Sequence, residues 1–132
     1  MLRIDRLSNS PIFEQVIDQF ENLIARGGIM AGEQLPSVRT LSQELSINPN
    51  TIQKAYTEME RRGLCKTAQG SGRFVAPEAK ALIIEAKRNE LDNLGQAIAA
   101  FINVGISKAE ILKSIEQACS VIEIDQKGGG ST

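Results

Sequence analysis

"SVRTLSQELSINPNTIQKAYTEMERRG" spans residues 37–63, and its reading decides the fold. Two amphipathic runs flank a tight break at Ser46-Ile47-Asn48. Ser37 is a good N-cap for the first run, whose Val38, Leu41 and Leu45 recur at inward helical spacing. The break is too short for anything but a sharp helix–helix turn. Asn48 then caps the second run, with Pro49 at the first helical position, where its missing N–H would be unpaired anyway. Ile52, Ala55, Tyr56 and Met59 form the buried face of that helix, and Gly63 stops it. The spacing of Tyr56 from Ile52 and Met59 places it in the core.

Upstream, Leu2 and Ile4 alternate, predicting a short strand within residues 1–9. Ser10-Pro11 repeats the cap-then-proline device and opens a helix with an apolar stripe of Ile12, Phe13, Val16, Ile17, Phe20, Leu23 and Ile24. Gly27-Gly28 ends it. Downstream, the β-prone runs Leu64–Ala68 and Arg73–Ala76 flank Gln69-Gly70-Ser71-Gly72, the pattern of a hairpin with a glycine-rich tip. Residues 78–103 predict a long helix, with Leu91, Leu94, Ile98 and Phe101 three and four apart, ended by Gly105. Ser107-Lys108-Ala109-Glu110 is a capping box, and the helix it opens carries Ile111, Leu112, Ile115, Ala118, Cys119 and Ile122 on one face. The closing GGGST predicts a flexible tail.

The 132 residues suit one domain, or a small domain with an appendage. Net charge is only −1, but residues 37–73 hold 6 Lys/Arg against 3 Asp/Glu, so the positive field is local. There is no histidine, and two distant cysteines, Cys65 and Cys119, make no zinc site. Both read as buried structural thiols of a reducing cytoplasm. The charged start, MLRIDRLSNS, has no apolar segment of a secretory signal, and no apolar run approaches the ~18 residues of a membrane span. Without histidine or a nucleophile–base pairing, an enzyme is not expected, and no metal or cofactor is expected either.

Three helices and a hairpin, with a sharp turn between the second and third helices, form a winged helix-turn-helix. A helix lying in the major groove presents its N-terminal residues to base edges. Asn and Gln match the N6/N7 pair of adenine, and Thr can bond a base or touch a methyl. Asn48, Asn50, Thr51 and Gln53 are of those types, and Lys54 follows them. Glycine at a wing tip lets backbone approach the sugar-phosphate closely.

The stretch from Ser10 to Val75 resembles the DNA-binding domain of the GntR family of bacterial transcription regulators. The resemblance rests on G-x-x-L-P-S-x-R at Gly32–Arg39, the N-P-N-T start of the third helix, the A-Y that follows it, and the G-x-G-x-F-V wing at Gly70–Val75. It implies that Arg39 meets DNA backbone or a guanine, with Ser37 also expected among the DNA-binding residues. It implies further that Asn50, Thr51 and Gln53 stand at the major groove and that Gln69 and Gly70 enter or border the minor groove, with Ser71, Gly72 and Arg73 also expected among the DNA-binding residues. Pro49 and Gln53 stand where many relatives carry arginine, a departure that bears on base preference, since arginine suits guanine and glutamine suits adenine. Arg61 and Arg62, beside Glu58 and Glu60, read mainly as a solvated face.

The expected architecture is therefore mainly α with a small β-hairpin: a winged helix-turn-helix over 1–77, a two-helix dimerisation tail over 78–125, and a flexible end over 126–132. The 55 residues after Pro77 are too few for a large effector-binding domain, and resemble the small YtrA-like branch of the family. Leu91, Leu94, Ile98 and Phe101, with Ile111, Leu112, Ile115 and Ile122, make apolar faces too large for a two-helix hairpin to hide alone, so a second copy is the expected partner. The function that the resemblance implies is a cytoplasmic homodimeric repressor on an inverted-repeat operator in double-stranded DNA, acting on a transporter-type operon and on its own gene. The rival is a ligand-responsive sensor whose helical tail binds a small molecule and releases DNA. The tail offers such a ligand only Asn93, Gln96 and Asn103 as polar groups, and the sequence names no effector.

Overall fold

The computed structural model describes residues 2–130, with side chains over residues 2–123. Elements run α1 (Ile12–Ala25), α2 (Val38–Leu45), α3 (Pro49–Arg61), β1 (Cys65–Ala68), β2 (Gly72–Val75), α4 (Ala79–Asn103) and α5 (Lys108–Gly130).

Local chemistry sets most of the boundaries. Ser37 Oγ accepts the Thr40 N–H at 3.0 Å and starts α2. Asn48 Oδ1 accepts the Asn50 N–H at 2.8 Å and starts α3 with Pro49 behind it. Helices α1 and α3 both end on a left-handed glycine. Gly28 N–H donates to Leu23 O after Gly27 (φ 81°), and Leu64 N–H donates to Met59 O after Gly63 (φ 81°). The sharp turn after α2 uses Ser46 at φ 53°, a left-handed residue that is not glycine. Arg6 supports it from the N-terminal arm, donating Nη2 to Ser46 O at 2.8 Å.

Two expectations for the start of the chain fail. Residues 2–9 form no strand; the arm is pinned by glutamines of α1 instead. Gln19 Oε1 accepts the Arg3 N–H at 2.8 Å, and Gln15 Oε1 accepts the Asp5 N–H at 2.9 Å. A helix has no open strand edge to offer, so side-chain amides take its place. Nor does Ser10 cap α1: Pro11, extended at ψ 147°, is the N-cap residue and gives no side-chain bond.

Strands β1 and β2 pair antiparallel from Cys65↔Val75 to Ala68↔Gly72. The loop before α2 adds a third rung: Val75 N–H donates to Glu33 O, Leu35 N–H donates to Arg73 O, and Gln34 bridges to Phe74. The core joins Val16, Ile17 and Phe20 of α1, Leu41 of α2, and Ile52, Ala55, Tyr56 and Met59 of α3 to Leu64, Cys65 and Val75 of the hairpin. Each fully buried large side chain there contributes about 1.5–3 kcal/mol relative to exposure. Tyr56 packs edge-on against Phe20 at 5.8 Å, and its hydroxyl donates to Pro36 O at 2.7 Å. The core placement of Tyr56 holds.

The chain divides into two compact units after Lys87, beyond the Pro77 boundary expected from sequence. The reason is packing: Ala79 (0% exposed) and Ile83 (4%) of α4 belong to the first core. In the second unit Ser107 Oγ accepts the Glu110 N–H at 3.1 Å, the serine half of the capping box. Helix α5 continues past Ile122 through Gly130, although glycine costs about 1 kcal/mol per helical residue relative to alanine. Of the tail expected over 126–132, residues 126–130 are thus helical, and 131 and 132 lie outside the described residues. Cys65 is buried as expected, but Cys119 is exposed, the α5 face that carries it meeting no cover among the described residues.

Candidate nucleic-acid interface

The first turn of α3 divides its polar side chains by task. Asn48 is occupied as the cap. Thr51 is half-buried, while Asn50 and Gln53 are exposed. Gln53 Nε2 donates to Thr57 Oγ1 one turn on at 3.3 Å, a geometry that leaves its amide in solvent. Asn50, Gln53 and Lys54 border an open groove of about 600 Å³ that Phe13 of α1 closes on the other side. The Lys54 ammonium sits 3.9 Å from the Phe13 ring centroid, a cation–π contact that fixes where its charge stands.

The six cations of residues 37–73 are not equivalent. Arg61 and Arg62 both bond Glu58, and Arg62 also reaches Glu21 at 3.5 Å. Those hydrogen bonds, Arg61 first, hold the Glu58 carboxyl down at about 2. The Glu21 carboxyl moves the other way, raised by burial. Lys66 approaches Glu78 at 3.9 Å. Arg73 donates Nε to Glu60 at 2.7 Å and lies over the Tyr56 ring at 5.2 Å. Glu60 is lowered by the Thr67 hydroxyl first and then by Arg73. Arg39 is exposed, and among the described residues no carboxylate pairs with it, Glu44 included. The expected set is therefore split: among the described residues Arg39 and Lys54 form no ion pair with a carboxylate, although Glu14 and Glu58 line the groove beside Lys54, whereas Arg73 is a strut between wing and α3.

Gln69, Gly70, Ser71 and Gly72 are all exposed at the hairpin tip. Gly70 has φ 80°, and a Cβ there would meet no atom within 4 Å. Gly72 has φ 103°, and a Cβ there would stand 2.6 Å from Gln34 Nε2. Ser37, at the α2 start, spends its hydroxyl on Thr40, as donor to Oγ1 and acceptor from N–H. Sequence reasoning missed Gln34, Arg6 and Phe13. Gln34 lies at an unspecified position of G-x-x-L-P-S-x-R, and its partner Ser71 is 37 residues away, so no local pattern could have shown it.

In the second unit, Leu91 (61%), Leu94, Phe101, Leu112, Ile115 and Ile122 are exposed, with Ile98 and Ile111 half-buried. Ile102, Val104 and Val121 widen the exposed apolar surface beyond the expected residues. A cleft of about 320 Å³ lies between α4 and α5, lined by Leu94, Ile98, Phe101, Ile106, Ile111 and Ile115 with Glu110 and Ser114. Among the described residues, no cluster of three or more His, Cys, Asp or Glu side chains could hold a metal ion, and no helix is long and apolar enough to cross a membrane. Burial raises the Cys65 thiol to about 11, with Glu60 adding to it.

Residues 12–75 match the family described as "Bacterial regulatory proteins, gntR family". The chain is 36% identical over 130 residues to the HTH-type transcriptional repressor YtrA of Bacillus subtilis (strain 168), covering 98% of this chain and 97% of that protein. Its structure is similar to a GntR family transcriptional regulator from Listeria monocytogenes, with a TM-score of 0.68 and 30% identity over 86% of this chain and 98% of that one. It is also similar to AraR(DBD) in complex with operator ORX1, with a TM-score of 0.51 and 31% identity over 57% of this chain and 93% of that one.

Proposed function

This chain belongs to the GntR family of bacterial regulatory proteins, whose members compared above are transcription regulators and not enzymes, and from that premise we propose that it is a homodimeric, operator-binding repressor. The observation that carries the reading is the start of α3: Asn48 fixes the helix entry, and Asn50 and Gln53 are left with exposed amides three residues apart. Such amides suit adenine edges in the major groove. Arg39 and Lys54 supply charge for phosphate, and the wing tip at Gln69–Gly72 lies against the minor groove. Arg73 serves to hold the wing on α3 through Glu60 rather than to read bases. The operator complex in the AraR comparison is consistent with DNA docking by this kind of domain.

Dimerisation is assigned to residues 88–123. Their apolar side chains stand exposed in the single chain, and a two-fold interface would cover one such patch with its own copy. The targets assigned are a transporter-type operon and the protein's own gene, by likeness to the YtrA-like branch, and the place of action is the cytoplasm, where chromosomal DNA lies. The cleft between α4 and α5 favours a second reading, a small apolar effector seated there that alters DNA binding, since its volume is at the lower end of ligand pockets. Light scattering on the full chain and on residues 1–87 separates the two. A dimeric full chain and a monomeric truncation support the repressor dimer; a monomeric full chain refutes it and favours the effector reading.

A further inference from the structure

The wing tip is held by something other than its own hairpin. Two four-residue strands make a ribbon that is marginal by itself. The Ser71 N–H closes the tip on Ala68 O at 2.9 Å, and the outward-facing Ser71 carbonyl is taken by Gln34, whose Nε2 donates to it at 2.7 Å. Gln34 is itself well founded. It bridges to Phe74 of β2, its neighbours Glu33 and Leu35 bond Val75 and Arg73, and Leu35 is buried at 3% exposure. Three residues later Ser37 caps α2. Gln34 thus joins the tip of the wing to the entry of the helix-turn-helix.

We propose that Gln34 is the positioning residue of the wing, setting where the tip meets DNA relative to α2 and α3 without touching a base itself, and that Gly72, which its φ of 103° already favours as glycine, also leaves room for it. The two tip glycines then have different tasks. A Cβ on Gly70 would meet nothing, so that position is open for DNA backbone to approach. A Cβ on Gly72 would occupy the place of the Gln34 amide and would push it off Ser71. This rests on the reading of the wing as a DNA contact.

The test uses the full chain with Gln34→Ala and with Gln34→Met, which keeps length and loses the donor. The first readout is amide hydrogen exchange at Gly70 and Ser71 in the DNA-free protein, alongside thermal melting. The second is operator affinity, measured for each variant alone and combined with Gln69→Ala at the wing tip. The expected result is faster exchange at both amides with melting nearly unchanged, and operator binding weakened about two- to tenfold, the range of one lost neutral hydrogen bond. That loss shrinks in the Gln69→Ala background, where part of the tip contact is already gone. Unchanged exchange at the tip overturns the clamp. Faster exchange with an affinity loss that is undiminished in the Gln69→Ala background overturns positioning, because Gln34 then acts independently of the tip, as a direct DNA contact would. If Gln34→Ala, Gln34→Met and Gln69→Ala all leave affinity unchanged while the tip amides exchange faster, the wing does not meet DNA, and the proposal falls with that premise rather than with the clamp.

Discussion

Arg39→Ala tests the electrostatic half of the interface, and the size of its effect follows from the geometry. The side chain is exposed and has no carboxylate partner among the described residues, so its loss should leave folding stability within about 0.5 kcal/mol. If it neutralises one phosphate, the slope of log K against log salt falls by about 0.9 per Arg39 in the complex. A dimer brings two copies to one operator, so the expected fall is about 1.8. Between 50 and 200 mM salt that makes the affinity ratio of parent to variant shrink by about twelvefold. Fluorescence anisotropy titrations on the operator and on random duplex, at four or five salt concentrations, read it directly. A slope change near 0.9 would mean one subunit per site. An unchanged slope refutes the phosphate contact and leaves Arg39 as a solvated helix charge.

Gln53→Ala should cost about 1–3 kcal/mol on the cognate site and little on random DNA; equal losses in both titrations would place Gln53 on the backbone. Cys119 is exposed in the single chain and four and three residues from Ile115 and Ile122. A thiol reagent at neutral pH should therefore label it slowly in the dimer and quickly in a protein diluted to monomer, with the buried Cys65 unlabelled in both; rapid labelling of Cys119 at all concentrations would put α5 outside the interface. Glu58 is held at about 2 in the fold against 4.5 for a free glutamate. Its contribution is therefore full above pH 4.5 and is lost as pH falls toward 2, so the melting difference between the parent and Glu58→Gln should shrink through that window; a difference that is constant with pH would refute the Arg61–Glu58–Arg62 arrangement.

What the sequence made legible was local. Ser37, Asn48-Pro49 and Gly63 each act through bonds to residues within five positions, and these set the turn and both helices of the DNA-reading unit. The hairpin followed from its glycines and β-prone flanks. What was not legible needs tertiary partners. Arg73 looks like a wing cation until Glu60 and Tyr56 are brought beside it. Leu2 and Ile4 alternate like a strand, but the surface they meet is α1, so glutamine side chains do the pairing. The boundary at Pro77 shifted to Lys87 because α4 is one continuous helix, and nothing in its pattern marks where its first turns leave the core through Ala79 and Ile83. The exposure of the α3 amides was legible from residue type and place, since Asn50 and Gln53 need only be short of cover at a helix start, whereas the Gln34 contact runs across the fold.

In a homodimeric repressor of this kind, two copies of the winged helix read one operator by symmetry. Selection of bound sequences from a library of random duplex DNA with the full chain, followed by sequencing, tests it whatever the operator's sequence. The expected product is an inverted repeat whose half-sites lie about one helical turn, roughly 10 base pairs, apart from centre to centre, with adenine enriched where Asn50 and Gln53 reach. Enrichment of a single asymmetric half-site, or of no sequence at all, would contradict it.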